Sequence, residues 1–366
     1  MTAGRKIKIH INQRNKKVSM AQGEKPAFEL TTSRQFQNWL KAEKTSLIFT
    51  TYQVGKVFML GTNTDGSLHV TERTFPRCMG LGINKNTNTF WMSTLFQLWR
   101  FDNSLASGKY QDYDKVYLPQ AAYTTGDLDI HDIIIGENDR PVFVNTLFSC
   151  LATTSESHSF KPVWQPPFIS KLVPEDRCHM NGLAEKDGKP AYVTIVGKSD
   201  ASDGWREHRQ NGGIVMDVQT NEIVCEGLSM PHSPRWYNGK LYLLEAGTGY
   251  FGYVNLETKT FERIAFCPGF LRGLDFVGNY AVVGMSGVRK NKTFSGLQLD
   301  ENLKEANIQP RCGIQIINLE TAAAEHWVRL EGIVEELYDV KVLPQISRPL
   351  LIGTKKDEIR TMISIE

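Results

Sequence analysis

The stretch RCMGLGINKNTNTFWMST (77–94) decides the fold, because five later stretches repeat its plan. They are DIHDIIIGENDRPVFVNT (129–146), HMNGLAEKDGKPAYVTIVG (179–197), HSPRWYNGKLYLLEAGTG (232–249), LRGLDFVGNYAVVGMS (271–286) and LYDVKVLPQISRPLLIGT (337–354). In each, a small or acidic residue precedes an apolar or proline anchor. A turn signal follows, then a second strand-like run that ends in small polar residues. The anchors are Leu81, Ile133, Leu183, Pro234, Leu274 and Val340, separated by 52, 50, 51, 40 and 66 residues. Each gap has room for two more strand-like runs, such as QLWRFDN and KVYLP after the first copy. Asn-Lys, Asp-Gly, Asn-Gly and Gly-Asn supply the tight turns. Four short strands repeated every ~50 residues predict an all-β chain, a six-bladed β-propeller. Stacking blades around an axis buries both faces of sheets that cannot bury them alone.

The segment SLIFTTYQVGKVFMLGTNTDGSLHVTERTF (46–75) has a second strand without a first. It is expected to add outer strands to the blade begun by the last copy, which closes the ring. A seventh, incomplete blade is the competing count. Helical periodicity is confined to SRQFQNWLKAEK (33–44), read as a short N-terminal helix with Ser33 as its N-cap. Residues 1–32 read as a basic, solvated tail, with six Lys/Arg before the first acidic residue, Glu24. Residues 33–366 read as one propeller domain. Two polar insertions, 197–213 and 288–313, interrupt it; insertions in repeat folds tend to sit on one face and cover a binding mouth.

Lys+Arg 42 against Asp+Glu 40 leaves a formal charge of +2, which gives no global reason to expect nucleic acid as a partner. No run of about 18 apolar residues predicts a membrane span, and the first 20 residues lack the apolar core of a secretory signal. The six cysteines form no C-x-x-C pair, so reduced thiols in a cytoplasmic protein are expected.

In a propeller, the first strand of every blade lines the central channel, and the starts of those strands converge on one mouth. Two residues before each anchor stand Met79, His131, Asn181, His232, Arg272 and Tyr338. Four before stand Arg77, Asp129, His179, Met230, Phe270 and Glu336. The position between anchor and mouth holds Gly80, Asp132, Gly182, Ser233, Gly273 and Asp339. A lone histidine more often serves a structural hydrogen bond. Three of the chain's eight, His131, His179 and His232, fall at near-equivalent points of consecutive repeats and suggest a shared role. They are the candidate catalytic residues, with an imidazole as general base. They are also the candidate ligands of one divalent transition metal, since neutral imidazoles suit such ions. Arg77, Asn181, Arg235, Trp236, Arg272 and Tyr338 are the candidate substrate-binding residues. HSPRW (232–236) reads either as a bulged strand start or as a pocket wall of His232, Arg235 and Trp236. Trp205 to Arg209, inside the first insertion, read as a lid or a solvated loop. Cys178 is a weak candidate nucleophile toward His131 or His232. His10, His69, His158, His208 and His326 fall in tails, loops or outer strands and are expected to be mostly solvated.

At HSPRW, at GFLRGL (269–274) and at the STLF–NTLF pair, the chain resembles a bacterial family of conserved hypothetical proteins of unknown function. The resemblance runs from about residue 33 to about residue 355 and implies the fold and little more. The architecture is also similar to propellers of the gluconolactonase and NHL-repeat kinds. Where a lactonase calcium site has carboxylates and Asn, the corresponding points here offer mainly His, Arg and Asn181. The expected function is recognition of a small polar or anionic ligand at the mouth, with lyase or hydrolase chemistry by the three histidines. The rival expectation is a non-catalytic scaffold that binds a peptide or protein partner through its top-face loops.

Overall fold

The computed structural model describes residues 5–7, 28–105, 110–287 and 295–365. Six antiparallel sheets of four blade strands form a ring, so the blade count is six. The innermost strands, in chain order, are Leu81–Ile83, Ile130–Ile135, Met180–Lys186, Pro231–Tyr237, Phe270–Val277 and Val340–Pro344. Every predicted anchor lies in one of them. Each packs against the next, and the sixth packs against the first, which closes the circle. We number the blades one to six in that order.

Blade six takes its inner strand from Val340–Pro344 and its other three strands from Thr45–Thr51, Lys56–Thr62 and Leu68–Thr74. This is the closure expected of residues 46–75. Both chain ends overrun the seam. Phe28–Thr32 pairs antiparallel with the outer strand of blade five, Ala324–Gly332. It therefore belongs to the folded body, although the sequence reading placed it in the tail. Arg5–Ile7 pairs with it in turn. The rest of the basic tail, with His10, lies outside the described residues. Pro349–Leu351 pairs parallel with the outer strand of blade one, Lys115–Thr124.

Period-two alternation explains why the second strand of a blade is apolar on both of its faces. In Thr89–Ser93, Phe90 and Met92 face the gap between blades six and one, while Trp91 faces the gap between one and two. Leu241 and Leu243 likewise face blade three, and Tyr242 and Leu244 face blade five. Each inter-blade gap is thus a separate apolar layer, and these second strands are buried on both faces. Helix Phe36–Ala42 fills the gap between blades five and six with Phe36, Trp39 and Leu40. Ser33 does not cap it. Its hydroxyl instead meets the backbone N–H of Trp327 at 3.3 Å and His326 Nδ1 at 3.4 Å, tying the chain to blade five.

Around the channel, the position before each anchor alternates between glycine and a polar side chain. Asp132 of blade two accepts from the Leu183 amide of blade three at 3.0 Å. Ser233 of blade four accepts from Gly273 of blade five at 3.0 Å, and Asp339 of blade six from Leu81 of blade one at 2.9 Å. The intervening positions have no room for a side chain. A Cβ on Gly80, Gly182 or Gly273 would meet the next inner strand at 2.9, 2.3 or 2.6 Å.

Arg235 crosses this belt. Its Nη1 and Nη2 bond the two oxygens of Asp132 at 2.7 and 3.1 Å. Nη1 also donates to the carbonyls of Leu183 and Pro234, and Nε donates to that of Leu274 at 2.9 Å. Asp339 stands 3.8 Å from Nη2. One guanidinium therefore joins blades two to six. Breaking a buried, hydrogen-bonded ion pair from one side costs about 3–5 kcal/mol. Arg235→Leu should lower the unfolding free energy by about that amount in urea titration; a loss below ~1 kcal/mol would show that the network does not hold the ring.

Candidate functional site

The predicted convergence is present. The His131 ring lies 5.0 Å from His179, 5.9 Å from His232 and 5.5 Å from Tyr338, centroid to centroid. The Arg272 guanidinium lies over Tyr338 at 4.8 Å and over Phe270 at 5.2 Å. Blades two, three, four, five and six thus meet at one mouth. Inner strands enter it through irregular backbone. Arg77, Asp129, His179 and Met230, each four before an anchor, all have positive φ between 46° and 52°. The ladders of four of these strands then slip between mouth and anchor. Such bulges re-aim side chains.

The hydrogen bonds fix two tautomers. His131 Nδ1 lies 2.8 Å from the Asp129 carbonyl and 2.8 Å from Thr146 Oγ1. The Thr146 hydroxyl donates its proton to the Met180 carbonyl at 2.7 Å. Both neighbours of Nδ1 are therefore acceptors, and Nδ1 carries the proton. Nε2 of neutral His131 is left with its lone pair. His179 Nδ1 faces Asp176 Oδ2 at 2.8 Å, which gives it the same tautomer. His232 Nδ1 meets Ser233 Oγ at 3.2 Å, and its Nε2 is buried without a partner among the described residues.

Burial pushes the His131 imidazole down to about 3, against the opposing pull of Asp129. Burial, then the Arg272 charge, holds His232 well below its ordinary value of 6.5. Burial alone would raise Asp129, but His131, His179, Arg77 and Arg272 together bring it below the usual carboxylate value.

The remaining candidates divide. Arg77 sits at the rim, paired with Asp127 and 3.9 Å from Asp129, its guanidinium 5.8 Å from the Tyr52 ring. Asn181 is buried just below the histidines and accepts from Thr194 Oγ1 at 2.8 Å. Arg235 lies deeper, bound into the belt. Trp236 is not brought to the cluster: it stacks on Tyr192 at 6.0 Å, and the Lys186 ammonium lies over the Trp236 ring at 4.2 Å. Cys178 is buried, and that burial pushes its thiol up to about 12, which removes it as a thiolate nucleophile. All six cysteines are free and buried. His69, expected among the solvated histidines, is buried at the seam, where Nε2 meets the Pro349 carbonyl at 3.1 Å. Among the described residues, no group of three or more His, Cys, Asp or Glu is disposed to hold a metal ion.

Two further residues complete the site: Asp176, which the sequence reading does not single out, and Trp205, which it places in a lid or a solvated loop. Asp176 orients His179, and its Oδ2 also accepts from Trp205 Nε1 at 2.8 Å. Trp205 lies in the insertion 197–213 and stacks on His179 at 4.1 Å. It is buried, so this part of the insertion is a wall of the site and not a solvated loop. The described part of the second insertion packs on the same side: helix Gln298–Glu305 buries Leu299 and Leu303 in the layer that holds Trp205. Gln210 reaches the Gly296 carbonyl at 3.1 Å.

The chain belongs to the family described as domain of unknown function (DUF4915), which matches residues 34–352. No curated protein matches it. Among solved structures, the nidogen/laminin complex is similar over 82% of this chain and 99% of that chain, with TM-score 0.54 and 9% identity. A protein of unknown function from Bacteroides caccae is similar over 82% of this chain and 98% of that one, with TM-score 0.46 and 10% identity. A virginiamycin B lyase from Staphylococcus aureus follows, over 83% and 99%, with TM-score 0.39 and 13% identity. The first of these likenesses supports the propeller fold of this member of the DUF4915 family. No helix among the described residues is long and apolar enough to cross a membrane.

The buried imidazoles set a pH dependence for this DUF4915 chain. His131 and His232 are neutral when folded and titrate near 6.5 when unfolded. The unfolded state thus takes up more protons below that pH, and stability falls by about 1.4 kcal/mol per pH unit for each group. The loss begins as pH drops through 6.5 and, for His131, ends near 3. Asp339 works the other way between about 6 and 3.8, because burial raises its carboxyl to about 6. A difference measurement separates them. Urea midpoints at pH 7, 6 and 5 should fall less steeply in His131→Gln than in the parent, and equal slopes would contradict a neutral buried His131.

Proposed function

We propose that this mouth binds a small polar ligand and carries out proton-transfer chemistry on it, of the lyase or hydrolase class. One observation carries the reading: three imidazoles from consecutive blades cluster, with His179 and His232 at 5.0 and 5.9 Å from His131, walled by aromatic rings and largely shielded from water. Their environments suit different tasks. His179, oriented by Asp176 through Nδ1, is the general base, with Nε2 as the proton acceptor. A base should titrate near working pH, and His131 is far too acidic for that. It serves as a neutral hydrogen-bond acceptor in the floor of the site. His232 meets the ligand through the unpartnered Nε2. Arg272, flanked by Tyr338 and Phe270, opposes negative charge that develops during proton removal.

A screen of small polar metabolites by thermal shift, followed by product detection for each hit, tests this. His232→Ala should abolish the shift while its own midpoint in buffer stays within a few degrees of the parent. His179→Gln should keep the shift and lose turnover by 10²-fold or more, the usual weight of a general base. Hits that stabilise His232→Ala as well as the parent would remove the mouth as the binding site.

A further inference from the structure

Resting on the reading that the mouth binds a ligand, we infer that this ligand is small, uncharged and rich in hydroxyl groups. Four polar atoms around the histidines are buried without a hydrogen-bond partner among the described residues: Asn181 Nδ2, Asp176 Oδ1, His232 Nε2 and Arg77 Nε. Asn181 and His232 are almost completely buried, at 1% and 3% exposure. Buried polar atoms without partners are costly, so a site that keeps several is shaped to have them filled.

Their chemistry is mixed. Asn181 Oδ1 already receives the Thr194 hydroxyl, so the unfilled end is an amide N–H donor. Arg77 Nε is a second donor. Asp176 Oδ2 is taken by both His179 and Trp205, so the unfilled Oδ1 is a pure acceptor. His232 Nε2 serves in either sense, by tautomer.

A carboxylate or phosphate ligand brings mainly acceptors. It would fill the donors but leave Asp176 Oδ1 facing like charge. Of the two arginines that would attract it, Arg77 is already engaged by Asp127 and Asp129, and Arg272 lies against the Tyr338 and Phe270 rings. An ammonium brings donors only and would leave Asn181 and Arg77 unfilled. A hydroxyl group donates and accepts at once and satisfies both kinds. The faces of Tyr338, Tyr52 and His131, stacked or edge-on at 5.5–5.7 Å, offer apolar contact to the carbon skeleton between hydroxyls.

The test uses the full chain and defined probes: glycerol, myo-inositol and D-glucose as hydroxylated ligands, malate and inorganic phosphate as anions, putrescine as a cation. At least one hydroxylated probe should give a saturable rise in thermal midpoint and a calorimetric isotherm. Two near-isosteric variants then reverse single groups: Asn181→Asp turns a donor into an acceptor, and Asp176→Asn does the opposite. Each should weaken that probe by about tenfold or more. Glu262→Gln, on the exposed outer strand of blade four, should leave it unchanged. Binding of malate, phosphate or putrescine in preference to the hydroxylated probes overturns the inference. If His232→Ala abolishes that binding, the mouth remains the ligand site and only the ligand class is wrong. A hydroxylated probe that binds both reversed variants as tightly as the parent also overturns it, as does the absence of any saturable shift with the hydroxylated probes.

Discussion

The ring depends on one guanidinium. Arg235 projects from blade four into the channel and bonds groups on blades two, three, four and five, with Asp339 of blade six 3.8 Å away. Inner strands near a propeller axis present polar backbone to a narrow space that holds little water. The chain satisfies these groups with its own side chains. Asp132, Ser233 and Asp339 each cross to the next blade, and Gly80, Gly182 and Gly273 make room between them. The result is a three-fold alternation inside a six-fold ring. It imposes cost as well as order. Asp339 is buried beside Asp132, and the burial and that neighbour raise its carboxyl to about 6 despite Lys341 and Arg235. Such a network stabilises one blade register over its alternatives more than it adds to net stability.

The same strands that carry the belt carry the mouth. Two residues separate Arg235 from His232, and Asp132 directly follows His131. A shift of one blade would therefore move belt and mouth together. That linkage explains how the mouth tolerates positive φ at Arg77, Asp129, His179 and Met230, a conformation that costs free energy in non-glycine residues. The strain has a visible effect at Asp129, whose carbonyl comes within 2.8 Å of His131 Nδ1 and helps to set the tautomer.

Much of this was legible in the sequence because it is periodic. The six anchors, the closure of blade six by residues 46–75 and the meeting of His131, His179 and His232 all follow from repeat position alone. What periodicity hides is the partner. Arg235 reads as a pocket residue because nothing in HSPRW reveals Asp132, 103 residues earlier, as its counter-charge. Trp236 is adjacent to it but points into the gap between blades three and four, as alternation along a strand requires. Asp176 lies outside the aligned copies, so repeat comparison could not find it. Its signal was local: an acidic residue three before a mouth histidine, in a loop. Ser33 reads as a helix cap by residue type, yet its hydroxyl is turned to His326 and the Trp327 amide of blade five.

Trp205 joins the two levels of the structure. It comes from an insertion that breaks the repeat, and it ends in the apolar layer between blades four and five. Its indole covers one face of His179, and its N–H shares the carboxylate oxygen that orients that imidazole. The insertion therefore sets both the shape of the site and the direction in which the His179 ring faces. A propeller without this segment would retain the ring of imidazoles, because their strands place them. It would lack the indole that covers His179 and the second hydrogen bond that holds Asp176 Oδ2. In this chain the repeats bring the reactive groups together, and a departure from the repeat gives them a defined environment.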